Sequence, residues 1–168
     1  MILDKTFPPD PRVENEASAL LRDGHDVFLF CLTYHNEETS EEINGIRVRR
    51  FKSSTLEYKL SALAYTLPFY TSLMSRKIRD FIVENKIEVL HIHDMRIAGA
   101  VFKANQDFQL KTVLDLHDNF PEVMKEYPHL QKFPGKQLIS PKKWKKKEEE
   151  FIKKADKVIT VSNEFIEE

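Results

Sequence analysis

Three consecutive segments decide the fold: IEVLHIHD at residues 87–94, MRIAGAVFKAN at 95–105 and TVLDLHD at 112–118. Ile87 to His93 and Thr112 to His117 are short apolar runs bounded by polar residues, as buried strands are. Between them Ile97 to Asn105 reads as a helix. Moving toward the N-terminus, Leu56, Leu60, Leu63 and Leu67, then Tyr70, Met74, Ile78 and Phe81, keep helical spacing from Leu56 to Glu84. Pro68 removes a backbone donor in the middle, so this stretch is a kinked helix or two abutting ones. Ile46 and Val48 alternate with Arg47 and Arg49 after the turn Asn44-Gly45, which marks a strand with one wetter face nearer the sheet edge.

Val27 to Leu32 is apolar without alternation, as a strand covered on both faces is. Before it, Asp10 caps a helix with Pro11 at its first position, and Val13, Ala17, Leu20 and Leu21 form its apolar stripe up to Gly24. Ile2 and Leu3 begin a strand that Pro8, Pro9 and Pro11 soon follow. So few residues in a central strand would leave neighbouring backbone groups unpaired. Toward the C-terminus, Asp118 to Pro141 is a long, proline-bearing connection over the cleft. Pro141 to Lys154 is a helix, Val158 to Val161 a strand, and the last residues begin another helix. This alternation, with little glycine, predicts an α/β fold with a Rossmann-like, doubly wound, mostly parallel sheet over residues 1–168.

The bulk numbers agree with one globular domain: 168 residues, 41% apolar, with 4 Gly and 8 Pro. Lys plus Arg (26) nearly balances Asp plus Glu (27), so no overall field favours nucleic acid as a partner. The single cysteine, Cys31, fits a reducing compartment, and no segment reaches the roughly 18–20 apolar residues that cross a bilayer. The first ten residues lack the blocks of a secretory leader, so the expected location is cytoplasmic.

Four polar groups fall at or beyond strand C-terminal ends, the edge where such sheets bind ligands: Arg12 with Asn15, His91-Ile92-His93-Asp94, His117-Asp118, and Ser162-Asn163. A histidine at position 117 can donate to a sugar hydroxyl or a developing negative charge, or it can be a satisfied capping residue. Arg12 in a first helical turn favours phosphate or carboxylate, unless it is a solvated surface cation. His91 and His93 share one strand face and can hold a metal if Asp94 and His117 supply further ligands. The usual hydrolase spacing H-x-H-x-D-H and the H-E-x-x-H motif are both missing, so no metal is assigned. Asp94 can also cap the helix after it. Neither G-x-G-x-x-G after the first strand nor a P-loop is present, and no cofactor is implied.

In the long connection, Phe120, Glu122 and Tyr127 are placed to touch a bound acceptor or to pack the loop. Lys143-Trp144-Lys145-Lys146-Lys147 opens a helix where cations oppose the dipole, so it reads either as an anionic-membrane contact or as a solvated face.

Six blocks carry a resemblance: residues 7–17 (FPPDPRVENEA), Gly24-His25-Asp26-Val27, Asn44-Gly45-Ile46-Arg47-Val48, His91-Ile92-His93-Asp94, Asp115-Leu116-His117-Asp118 with Pro121-Glu122, and residues 155–162 (ADKVITVS). In this order and spacing the chain resembles the N-terminal, acceptor-side domain of family-four glycosyltransferases with the GT-B fold. The resemblance implies retaining, metal-independent transfer of a sugar from a nucleotide-sugar co-substrate to a sugar or lipid-linked acceptor, across a cleft facing a C-terminal donor domain. Polysaccharide or cell-envelope glycan synthesis is the usual setting, with peripheral attachment to the inner face of the membrane. His117 matches the family's cleft histidine, and the implied acceptor-side set is Arg12, Asn15, His93, Asp94, Asp118, Glu122 and Ser162. Asp118 stands where the family often has Glu, and Arg12 where many relatives have a glycine-rich loop. The E-x7-E motif of the donor domain does not occur in this sequence, so the chain is expected to be inactive alone. Two other readings stay open: a non-catalytic acceptor or docking subunit of a split transferase, and a metal-dependent hydrolase using His91, His93 and His117.

Overall fold

The computed structural model describes residues 1–117, Pro121, Met124 and 139–160. The sheet contains β1 (Phe28–Thr33), β2 (Ser40–Ile43), β3 (Ile46–Lys52), β4 (Val89–His93), β5 (Lys111–Leu116) and β6 (Lys157–Thr160). The helices are α1 (Pro11–Arg22), α2 (Thr55–Ser61), α3 (Phe69–Asn85), α4 (Met95–Ala104) and α5 (Pro141–Lys154). Two ladders, β2-β3-β1 and β4-β5-β6, are parallel except for the β2–β3 pair. Ile2 joins them through parallel bridges to Phe30 and Ile92.

Met1 O accepts from Phe30 N (3.0 Å) and Leu3 N donates to Phe30 O (3.0 Å), while Ile2 donates to His91 O (2.7 Å) and accepts from His93 N (3.0 Å). The Met1 amino group donates to Phe28 O at 2.7 Å. Three residues thus satisfy backbone groups on both neighbours, and the expected unpaired groups are met at these positions. Ile2 and Leu3 are fully buried, one on each side of the sheet.

On one face α1 lays Val13 and Ala17 over Leu3, Phe7, Leu29, Cys31, Ile46 and Val48. Its start is fixed by Asp10, which accepts from Val13 N (3.2 Å), and by Pro11, whose missing N–H costs nothing in the first turn. On the other face α3, α4 and α5 bury Met74, Ile78, Phe81, Ile97, Val101, Trp144 and Phe151 against Ile2, Phe30, Ile92 and Leu114. Each such side chain contributes about 1.5–3 kcal/mol on leaving water.

Of the two alternatives for Leu56 to Glu84, the structure has two helices, with a turn between them and Pro68 as the N-cap of α3. One element was not expected: Ser40–Ile43 forms an antiparallel edge strand. Asn44 and Gly45, at φ 51° and 82°, make the left-handed two-residue turn that lets it fold back on β3.

Candidate active site at the sheet edge

Parallel strands bring the ends of β4 and β5 to one edge, where α1 also begins. Arg12, in the first turn of α1, donates from Nη1 to Asp115 Oδ2 at 2.8 Å, and its Nη2 lies 3.5 Å from Asp94 Oδ2. Lys5 Nζ is 3.4 Å from that same Asp94 oxygen. The other Asp94 oxygen pairs with His117 Nδ1 at 2.8 Å, and Arg12 Nη1 also contacts His117 Nδ1. A guanidinium only donates and a carboxylate only accepts. Nδ1 therefore carries a proton when Asp94 holds it and a lone pair when Arg12 does. The two partners compete for the tautomer of the ring.

Asp94 is held for this task by its backbone. It occupies φ 74°, ψ 153°, a region otherwise left to glycine, and its N–H donates to Asp115 O at 3.0 Å. Although it occupies the N-cap position of α4, its side chain makes no capping hydrogen bond. The carboxylate is committed to His117, Arg12 and Lys5 instead, which decides against the capping reading.

Beneath this edge, on the α1 face, His91 and His93 stack with ring centroids 4.5 Å apart. His93 Nδ1 lies 3.3 Å from Asp115 Oδ2, and Glu16 Oε2 lies 3.3 Å from His91 Nε2. Burial pushes the His91 imidazole down to about 3, with the neighbouring His93 adding to the effect, and burial also lowers His93. Burial, then the Asp115 charge, raises Glu16 to about 7. Burial alone would raise Asp115, but the His93 hydrogen bond and the Arg12 charge outweigh it, so its carboxyl is held low.

The edge thus gathers Arg12, Asp94 and His117 as expected. Asn15 stays on the exposed side of α1, with no hydrogen bond to the cluster among the described residues. His93 needs correction as a substrate contact: its side chain is 0% exposed, because β4 turns it under α1. Asp118, Glu122 and Ser162, with Phe120, Tyr127 and Asn163, lie outside the described residues. Trp144 is corrected as a membrane contact, being 0% exposed and packed edge-to-face on Tyr65 with centroids 4.6 Å apart. Lys145 and Lys147 pair one turn on with Glu148 (3.1 Å) and Glu150 (2.7 Å), while Lys143 and Lys146 face solvent. Lys5, Glu16 and Asp115 were missed as site residues. Asp115 is a carboxylate inside an apolar strand, which demands a buried partner. Glu16 follows Arg12 by four residues and so shares its helix face.

An open groove of about 480 Å³ is bordered by Tyr65, Leu67, Phe102, Lys103, Lys147 and Phe151. None of its lining residues belongs to the His117 cluster. Among the described residues no helix is long and apolar enough to cross a membrane.

A comparison with curated proteins finds no match. A solved structure described as "Trehalose-6-phosphate from E. coli bound with UDP-2-fluoro glucose" superposes with a TM-score of 0.50 at 11% identity. The match covers 77% of this chain and 36% of that one, a likeness of fold. The family model for Glycosyltransferase Family 4 matches residues 12–168. With its Rossmann-like sheet and polar strand-end edge, the chain belongs to Glycosyltransferase Family 4, of GT-B type.

Proposed function

We propose that this chain is the acceptor-binding half of a retaining glycosyltransferase whose donor-binding half is a C-terminal domain. The observation that carries this reading is His117, which ends β5 at the strand-end edge and is gripped by Asp94 and Arg12. In the transfer, the anomeric carbon of a nucleotide-sugar gives up a phosphate oxygen and gains an acceptor hydroxyl oxygen, whose proton passes to the departing phosphate. His117 hydrogen-bonds the sugar, and Asp94 and Arg12 select which ring nitrogen carries the proton. Lys5 and Arg12 place positive charge at the edge, where a leaving phosphate develops negative charge. No metal takes part at the reacting atoms. A glycan or lipid-linked acceptor fits this half, and the exposed Lys143 and Lys146 support attachment of the protein to an anionic membrane surface from the cytoplasmic side.

The test uses the full-length protein that joins this chain to its donor half. His117→Ala is expected to cut turnover by about 10²–10³-fold with the fold intact by circular dichroism. Calorimetric titration of nucleotide-sugars into this chain alone is expected to give no binding heat. Near-normal turnover would make His117 structural, and tight binding by the isolated chain would end the idea that the donor is gripped elsewhere.

A further inference from the structure

Glu16, His91, His93 and Asp115 take no direct part in the reaction proposed above, yet they form the most concentrated set of metal-ligating groups among the described residues. Their convergence follows from the fold. The two-residue period of β4 puts both imidazoles on the α1 face. The β4–β5 register sets Asp115 beside His93, and α1 lowers Glu16 onto the pair. One ligand-type atom from each residue lies within 4.8 Å of all the others.

Two of the separations match the edges of a single tetrahedral ion, and the Glu16–His93 one is a few tenths of an ångström longer. Glu16 Oε2 is 3.3 Å from His91 Nε2 and 3.9 Å from His93 Nδ1, and His93 Nδ1 is 3.3 Å from Asp115 Oδ2. A tetrahedral ion with bonds of about 2.0–2.2 Å needs ligand-to-ligand edges of roughly 3.3–3.6 Å. Hydrogen bonding accounts for only part of the arrangement, through His93 and Arg12 on Asp115. Glu16 Oε2 and His91 Nε2 are buried and close, but neither has a hydrogen-bond partner. Buried polar atoms of this kind are normally satisfied. Two imidazoles favour a transition ion over calcium or magnesium, which take oxygen shells of six or more, and two carboxylates balance a double positive charge.

We infer that Glu16, His91, His93 and Asp115 bind a divalent transition ion of the zinc type, which ties α1 to β4 and β5 beneath the His117 edge. Arg12 donates to Asp115 Oδ2, so the guanidinium and the ion share one carboxylate, and Arg12 orients it from the outer side. The ion lies under α1, away from the acceptor, and is a clamp on the site's scaffold. This inference is independent of the transfer proposed above.

The test uses the purified chain, stripped with chelator and titrated with Zn²⁺ by calorimetry and with Co²⁺ by visible absorption. The expected result is one ion per chain, with the intense absorption of tetrahedral Co²⁺. Glu16→Gln and His91→Ala should each weaken binding by at least about tenfold and remove that absorption. Alanine at the exposed His25 and His35 should leave both unchanged. If His91→Ala fails to fold, Glu16→Gln decides, since that side chain is 27% exposed and the change is isosteric. Absence of one-to-one binding would overturn the inference, as would binding that survives Glu16→Gln or is lost with the His25 and His35 variants.

Discussion

Replacing Asp94 with glycine and, separately, with alanine isolates its backbone strain from its carboxylate. Both variants lose the carboxylate that holds His117 Nδ1 at 2.8 Å. A charge-assisted hydrogen bond of this kind contributes about 1.5–3 kcal/mol. The contact to Lys5 adds little, because the Lys5 side chain is 47% exposed. Only glycine also relieves φ 74°, ψ 153°, a conformation that costs another residue about 1–3 kcal/mol. Against that, glycine loses roughly 0.5–1 kcal/mol more backbone entropy than alanine. Asp94→Gly should therefore be more stable than Asp94→Ala by about 1 kcal/mol, the middle of the strain range less the middle of the entropy range. At 2–4 °C per kcal/mol for a domain of this size, that is about 2–4 °C in Tm. Urea denaturation of this chain measures the difference directly. In the full-length protein both variants should lose turnover to a similar extent, because neither fixes the His117 tautomer. Equal or reversed stabilities would show that the backbone is unstrained. Wild-type turnover in Asp94→Gly would show that the carboxylate does not act through His117.

Two further perturbations test the packing and a buried charge. An ideal Cβ on Gly99 comes 2.8 Å from Tyr65 Cε1 and 3.3 Å from Phe151 Cζ. Gly99→Ala should therefore destabilise by about 1 kcal/mol net, since overpacking of about 1–3 kcal/mol outweighs a helix-propensity gain of about 1; a melting temperature above wild type would show that Tyr65 gives way despite its hydrogen bond to Met95 O and its contact with Trp144. Asp4 is buried between Tyr70 and Arg96, and desolvation raises its pKa more than the Arg96 charge lowers it. Its contribution is thus fully present below the unfolded carboxylate range and is lost as pH rises through the folded pKa. Urea midpoints at pH 5 and pH 8 should show Asp4→Asn gaining on wild type at the higher pH, whereas a variant that loses ground would mean Arg96 holds the carboxylate ionised.

The parts of the fold legible in the sequence are those whose signals are local. Asp10 and Pro11 announce α1, the apolar runs announce β1, β4 and β5, and Ser140 with Pro141 announces α5. The parts that were not legible depend on partners far along the chain. Ser40–Ile43 is polar and exposed, and only its ladder to β3 makes it a strand. Met1 to Leu3 look too short to be a central strand until both neighbours supply hydrogen bonds. The basic helix misleads for a different reason. Trp144, Glu148 and Phe151 recur at helical spacing and form its buried stripe, so the tryptophan belongs to the core, while the lysines around it gave the segment its membrane-like composition.

Asp115 shows most clearly why the edge could be read only in part. Its neighbour in sequence, His117, stands out because it ends a strand, but Asp115 is the residue that joins the layers. One of its oxygens accepts from Arg12 at the strand-end edge and lies 3.3 Å from His93 beneath it. Asp115 is 1% exposed and stays ionised because His93 and Arg12 overcome the cost of burial. That places the charge balance of the edge under the control of a buried residue. Arg12 Nη1 reaches both Asp115 Oδ2 below and the His117 ring above, so the carboxylate and the imidazole share one guanidinium nitrogen. A change at His93 therefore alters the hydrogen bond on the carboxylate that holds Arg12, and this coupling follows from the β4–β5 register, which a linear sequence does not display.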